Sequence, residues 1–210
     1  TATGSARSQK IIYQYYGANG CWDTASAVID ILPQPSVSFV LEDSIACYSE
    51  NLVKVTGGLP IGGTYLGKGI FQNQLYTQSS GTGYIDIVYQ FTDSNNCNNT
   101  DTVKLLVAVN PILNVSNDTV LCANTLANIF ATGAGKGALY TWSNGVQNPN
   151  ISVTPSKTAS YSVIGLDTNG CSDQKTVKVE VLPEIILTTS NQNAGCIASD
   201  GIANVSVAGG

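Results

Sequence analysis

Apolar and polar residues alternate along this chain in short runs, the two-residue period of a β-strand with one buried face. Three stretches repeat one larger pattern: Ile11–Pro33, Ile87–Pro111 and Tyr161–Pro183. Each holds an alternating strand, an Asn/Gly-rich turn, a cysteine, a second alternating strand and a closing proline. The strand begins ten residues before its cysteine every time, at Ile11, Ile87 and Tyr161 before Cys21, Cys97 and Cys171. Those cysteines lie 76 and 74 residues apart, which is a module length and predicts an array of small β-domains. No run combines a helical period with caps, so helix is expected to be scarce.

The repeat divides the chain into four pieces. Residues 1–34 read as the C-terminal part of a first module, 35–110 and 111–183 as complete modules, and 184–210 as the start of a further one. The N-terminal TATGSARSQK aligns with the middle of the next module (SSGTGYIDIVY) and has no apolar stretch of a signal peptide. The chain is therefore expected to begin, and also to end, inside a module. The junctions LPQP, VNP and VLPE are short and proline-bearing, which predicts stiff links. Within the second complete module the strand candidates are ILNVS, TLANIFAT, LYTWSN, ISVTP, YSVIGL and TVKVEVL. The expected fold is all-β, with tandem immunoglobulin-like β-sandwich domains in an elongated array.

The six cysteines sort by position in the repeat. Cys47 and Cys122 follow a short strand that opens a module, and Cys97 and Cys171 follow the late strand, at separations of 50 and 49. Equal spacing predicts Cys47–Cys97 and Cys122–Cys171 disulfides, with Trp142 placed to pack against the second. Cys21 and Cys196 are then cysteines whose partners lie outside the segment. A small sandwich buries little surface, and closing a 50-residue loop adds about 4 kcal/mol on the chain-entropy model. Disulfides imply an oxidising compartment and hence export. Reduced core cysteines are the rival reading. A metal site is disfavoured, since there is no histidine and no Cys-x-x-Cys.

Composition removes several classes. Charged residues are 11% and apolar residues 43%, wrong for disorder. A net charge of −5 without a basic cluster argues against nucleic acid. No apolar stretch is long enough to span a membrane as a helix, so direct membrane insertion is not expected. Without histidine the commonest general base is missing, and the acids are scattered apart from Glu42–Asp43, so no catalytic residues are assigned and the chain is read as a non-enzyme.

Some motifs invite chemistry. Gly62–Lys68 (GGTYLGK) matches most of a phosphate-binding loop, but Gly69 stands where Ser or Thr would hold magnesium, and IFQNQLYT after it alternates like a strand instead of opening a helix. A glycine-rich hairpin is the better reading. Asp93, Asn95, Asp167 and Asn169 offer oxygens that suit calcium, yet the same residues build tight hairpin turns, and the first copy, Gly17–Gly20, has no acid. No other cofactor is indicated. Trp22 has Asn98 and Ser172 as its equivalents and is expected to face outward, either lying on a neighbouring loop or serving as a carbohydrate platform. Asp-(Ser/Thr)-apolar recurs at Asp23, Asp43, Asp101 and Asp118, always near a cysteine.

Taken together, TGGLPIGGTYLGKGI…GTGYIDIVYQFTDSNNC, DTVLC…YTWSNG…YSVIGLDTNGCSD and SNQNAGCIASDGIANVSVAGG resemble the immunoglobulin-like, PKD-like and SprB-type repeats of large secreted surface adhesins of Bacteroidota. The resemblance implies type IX secretion, a place outside the cell on its surface, and roles in adhesion and gliding motility. The expected partners are other modules of the same polypeptide, surface glycans or neighbouring cells. In that group Asp-(Ser/Thr)-apolar is an O-glycosylation signal, which makes Thr24, Ser44, Thr102 and Thr119 candidate glycan sites. The chain is thus expected to be a stalk or filament segment of an adhesin, with the alternative that it serves as carbohydrate-binding or spacer modules of a secreted enzyme.

Overall fold

The computed structural model describes residues 7–196 and 200–209. The parts of the first and last predicted pieces that fall on residues 1–6, 197–199 and 210 lie outside the described residues. The fold is all-β, with one single-turn α-helix (Thr77–Ser80) and one 3-10 turn (Tyr48–Glu50) among the described residues. Two compact units divide the chain, residues 1–109 and 110–210.

The first unit contains the sequence-predicted late hairpin twice. Arg7–Tyr16 pairs with Trp22–Ile31, and Gly83–Thr92 pairs with Asn98–Ala108, both antiparallel. Only the second is packed into a core. Its strand 83–92 buries Ile85, Ile87 and Tyr89, alternate residues on one face, while the first hairpin is exposed throughout. A four-stranded sheet runs in the order 45–47, 98–108, 83–92, 64–67. The first pair in that order is parallel, Ile45 facing Leu106 and Cys47 facing Ala108. A three-stranded sheet (52–54, 74–76, 70–71) and a short pair (38–39 with 58–59) complete the unit. Phe39, Val55 and Leu75 from these smaller elements join Ala46, Ile87, Tyr89, Leu105 and Val107 in one apolar core. Two layers closing on a shared core is the standard solution for sheets with one apolar face.

Glycine at two positions makes that packing fit. A Cβ at Gly58 would stand 2.4 Å from the Tyr89 ring, and one at Gly63 would meet the same ring at 2.4 Å. Tyr65 and Phe39 fill the rest of this aromatic cluster, with ring centroids 4.8 Å from Tyr89 to Tyr65 and 5.2 Å from Tyr65 to Phe39.

The second unit repeats the plan. Its four-stranded sheet runs 119–122, 172–182, 159–166, 139–142, and again the first pair in that order is parallel, with Cys122 facing Leu182. A three-stranded sheet (114–115, 127–132, 150–153) lies over it, alternating strictly as in Ala127, Ile129 and Ala131, all buried. Trp142, Val163, Val177 and Val179 fill the core between them. A separate hairpin, Ile186–Gln192 with Ile202–Ala208, is exposed along its length.

The parallel register corrects the expected disulfides. Cys97 and Cys122 are free thiols, whereas Cys47 and Cys171 are disulfide-bonded, so neither Cys47–Cys97 nor Cys122–Cys171 is formed. Cys97 immediately precedes the last strand of its unit, and Cys47 faces the end of that strand at Ala108. An eleven-residue strand separates the two by roughly 35 Å, against about 5.5 Å for disulfide-linked Cα atoms. Cys171 and Cys122 stand in the same relation across 172–182. Equal sequence spacing marked equivalent positions, but not a shared end of the sandwich. Trp142 accordingly has no such disulfide to rest on; it is buried in the core, and its Nε1–H donates to the Asn148 carbonyl at 2.8 Å.

Candidate functional site

The feature shared by both units is a seam along which the opening segment runs beside the last strand. In the first unit the Asn99 side-chain amide donates to the Pro35 carbonyl at 2.9 Å, and Asp101 Oδ2 accepts the Phe39 N–H at 2.8 Å. Leu106 N–H then donates to the Ser44 carbonyl at 2.9 Å, and the parallel ladder carries on to Cys47 and Ala108. In the second unit the Asn110 amide donates to the Ser172 carbonyl at 3.0 Å, and Asp173 Oδ2 accepts the Leu113 N–H at 2.9 Å. Asp118 Oδ1 takes the Lys178 N–H at 2.7 Å, and the ladder runs from Thr119–Val179 to Cys122–Leu182. Residue numbers rise together on both sides of each seam. The two segments therefore point the same way from one end of the sandwich to the other.

Asp101 and Asp173 do the same job. Each uses Oδ1 to accept the N–H of the next residue (Thr102 and Gln174, both 2.8 Å) and Oδ2 to hold the opening segment. Asp101 was visible in the sequence only as the first residue of an Asp-Thr-apolar triplet. Nothing local signals that its second oxygen reaches a backbone group 62 residues earlier. Asp23 likewise accepts the Thr24 N–H at 2.7 Å. The recurrence of Asp before Ser or Thr thus has a structural use at several sites. Of the candidate glycan positions, Thr24, Ser44 and Thr102 are exposed and Thr119 is half-buried.

The turns that invited calcium are Asx turns. Asp93 Oδ1 accepts the N–H groups of Asn95 and Cys97, both at 2.9 Å, and Asp167 Oδ1 accepts those of Asn169 and Cys171 at 2.9 and 2.8 Å. Asn96, Gly20 and Gly170 hold the left-handed position of the three copies, with φ of 62°, 79° and 84°. Asn96 therefore serves where the other copies have glycine, since asparagine tolerates that region. In the first copy Asn19 Oδ1 takes over the aspartate's role and accepts the Cys21 N–H at 3.2 Å. Among the described residues no three His, Cys, Asp or Glu side chains gather as metal ligands would.

The remaining candidates separate in space. Thr64–Gly67, inside the phosphate-loop-like stretch, is a strand of the four-stranded sheet, and Ile70–Phe71 is a strand as well, so no helix N-terminus follows. Trp22 is 60% exposed and faces Tyr16 across the first hairpin, whose other residues are exposed alike. Nothing distinguishes it as a platform. Among the described residues two exposed ion pairs occur, Lys104–Asp86 and Lys178–Glu180, each at 2.8 Å. The Glu180 hydrogen bond and charge hold the Lys178 ammonium above the usual lysine range. No helix among the described residues is long and apolar enough to cross a membrane.

Neither a protein-family model nor a curated protein sequence matches the chain. Among solved structures, one described as a Ca2+-stabilized adhesin that helps an Antarctic bacterium reach out and bind ice aligns over 94% of this chain and 70% of its own. The identity is 13% and the TM-score 0.33. A likeness of that depth transfers neither fold nor function.

Proposed function

We propose that the chain is a tension-carrying segment of a large extracellular surface adhesin, a stalk of tandem immunoglobulin-like modules in the service of adhesion and gliding. The single observation that carries this reading is the parallel seam, present in both units. Force along a tandem array enters a module through its opening segment, whose strand 45–47 or 119–122 lies in the seam, and leaves through the strand on the other side of the seam. Where those strands are parallel, the two pulls run in opposite directions along the seam. The hydrogen bonds are then loaded together in shear, and no single bond fails first. Each bond contributes only about 1 kcal/mol at equilibrium, but the barrier to sliding sums over the seam. The disulfide-bonded state of Cys47 and Cys171 suits an oxidising exterior. The resemblance of the sequence to type IX-secreted adhesins supplies the cellular setting, and with it the proposal that Thr24, Ser44 and Thr102 carry O-glycans.

Single-molecule pulling tests the seam. The first unit is loaded either through its termini or through attachment points at Asp43 and Lys104. In the parallel register these flank the Ile45–Leu106 pair on the same side. The second geometry peels the seam one bond at a time. Unfolding through the termini is expected to need several times the force of peeling, and equal forces would sink the proposal.

A further inference from the structure

Two hairpins of this chain turn an apolar face to solvent, and each is the counterpart of one layer of the second packed unit. The hairpin 7–16 with 22–31 matches 159–166 with 172–182. Tyr13 faces Ala25 as Val163 faces Lys175, each strand residue standing eight positions before its cysteine. Tyr13, Ala27 and Ile29 therefore hold the places of Val163, Val177 and Val179, which are fully buried. Ile11, Tyr15 and Ile31 extend that face, and its large residues are 50–66% exposed. The hairpin 186–192 with 202–208 matches the opposite layer. Leu187 faces Val207 as Val115 faces Ala131. The same close approach of a glycine follows: a Cβ would meet the Ile112 carbonyl oxygen at 2.1 Å from Gly133, and the Glu184 carbonyl oxygen at 2.0 Å from Gly209. Ile185, Val205 and Val207 thus stand where Leu113, Ile129 and Ala131 are buried, yet they are 59–65% exposed.

In the second unit these two layers close on each other, with Leu113, Ile129 and Ala131 in one core with Val163, Val177 and Val179. A polar latch ties them: Asp173 Oδ1 accepts the Gln174 N–H and Oδ2 accepts the Leu113 N–H. Half of that latch is repeated on the exposed hairpin. Asp23, two residues after its cysteine like Asp173, shares a face with Tyr13 and Ile29. Its Oδ1 accepts the Thr24 N–H at 2.7 Å, and its Oδ2 has no partner among the described residues. The counterpart of Leu113 is Ile185.

We propose that copies of this chain join head to tail, the 186–208 hairpin of one copy covering the 7–31 hairpin of the next. The packed unit identifies the occupant, because it shows which pattern of residues closes over each face and supplies both patterns from this chain. In the joined state Leu187, Val205 and Val207 of one copy lie on Tyr13, Ala27 and Ile29 of the other, and Asp23 Oδ2 accepts the Ile185 N–H. Removing these faces from water drives the contact, and it firms two hairpins that are marginal on their own. The two faces are unlike, so the contact is heterologous and can propagate along a row of copies. Each copy contributes only two strands, and an interface that small holds with a Kd of roughly 10–500 µM. The inference stands apart from the tension-carrying reading, since each seam lies within a packed unit.

Analytical ultracentrifugation of the full chain tests it, with the free thiols alkylated by iodoacetamide so that disulfide exchange plays no part. The average mass is expected to rise with concentration between about 10 µM and 1 mM. Ile29→Asp blocks one face and Val205→Asp the other, so each variant alone should stay monomeric, while an equimolar mixture should form a dimer and nothing larger. Ser26→Asp, on the outward face of the first hairpin, should associate like the parent. Asp23→Asn keeps one acceptor for Thr24 but loses the second, and should weaken association about tenfold. A parent that stays monomeric throughout, self-association of Ile29→Asp or Val205→Asp alone, or an unchanged affinity in Asp23→Asn would overturn the proposal. All the substituted residues are exposed, and circular dichroism confirms that the packed units keep their fold. Any of these failures leaves the pulling experiment on the seam unaffected.

Discussion

Replacing Tyr89 with Phe isolates one oxygen at the centre of the first unit. The Tyr89 side chain is 1% exposed, and its hydroxyl accepts the Gly63 N–H at 2.8 Å while donating to the Pro60 carbonyl. The ring survives the substitution, so its packing against Gly58, Tyr65 and Phe39 is unchanged. What is lost is the partner of one half-buried N–H. The Pro60 carbonyl belongs to an exposed residue and can turn to water, whereas Gly63 is half-buried. An orphaned buried donor costs about 1–3 kcal/mol, and with one end rescued by solvent the lower half of that range applies. At roughly 4–8 °C per kcal/mol for a domain of this size, a loss of about 1–2 kcal/mol should make the first unit melt about 4–16 °C lower. Calorimetry on the whole chain measures the shift. Trp142 fluorescence, read in a Trp22→Phe background, supplies the control, since it then reports the second unit alone and should not move. Amide exchange at Gly63 should accelerate about tenfold for each 1.4 kcal/mol lost. A loss below about 0.5 kcal/mol with unchanged Gly63 exchange would show that the hydroxyl does not hold the Pro60–Gly63 loop.

Trp142→Ala should lower the stability of the second unit by about 3–5 kcal/mol, because the side chain is fully enclosed and its N–H is paired; urea unfolding giving less than about 1.5 kcal/mol would contradict a filled core. Asp167→Ala removes the acceptor of two backbone N–H groups and should cost about 1–3 kcal/mol, while adding calcium or EDTA to the unmutated chain leaves its melting temperature unchanged; a rise of several degrees with calcium would restore the metal reading. Intact-mass measurement of native protein should show added sugar that Thr102→Ala reduces, and an unmodified mass would remove the glycan sites.

The late hairpins were legible because everything that makes them is local. Ten alternating residues, an Asx turn and a cysteine give both the strand and its register, and Gly83–Val107 through Thr92–Asn98 pair as that pattern requires. Strict alternation likewise showed the strands at Ala127–Thr132 and Asn150–Val153. The seam was not legible. It joins residues some sixty positions apart through side chains whose local sequence is ordinary, and its direction depends on which sheet the opening segment joins. That one missing fact misplaced the disulfides, because it decides at which end of the sandwich Cys47 and Cys122 emerge. A composition rich in Asn and Asp also gave two equal readings of the turns, and only the hydrogen bonds of Asp93 and Asp167 separate them.

The seam also sets the order in which a module can be finished. The strand that opens the seam, 45–47 or 119–122, has no neighbour to pair with until the strand some sixty residues later has been delivered. The Asx-turn hairpins can close early, since they are local, but the sheet that encloses the core waits for the final residues. A chain threaded N-terminus first through a narrow export channel would therefore stay open until nearly the whole module had passed. The parallel register would then act as a timer, keeping each module slender enough to travel and allowing it to set only on arrival.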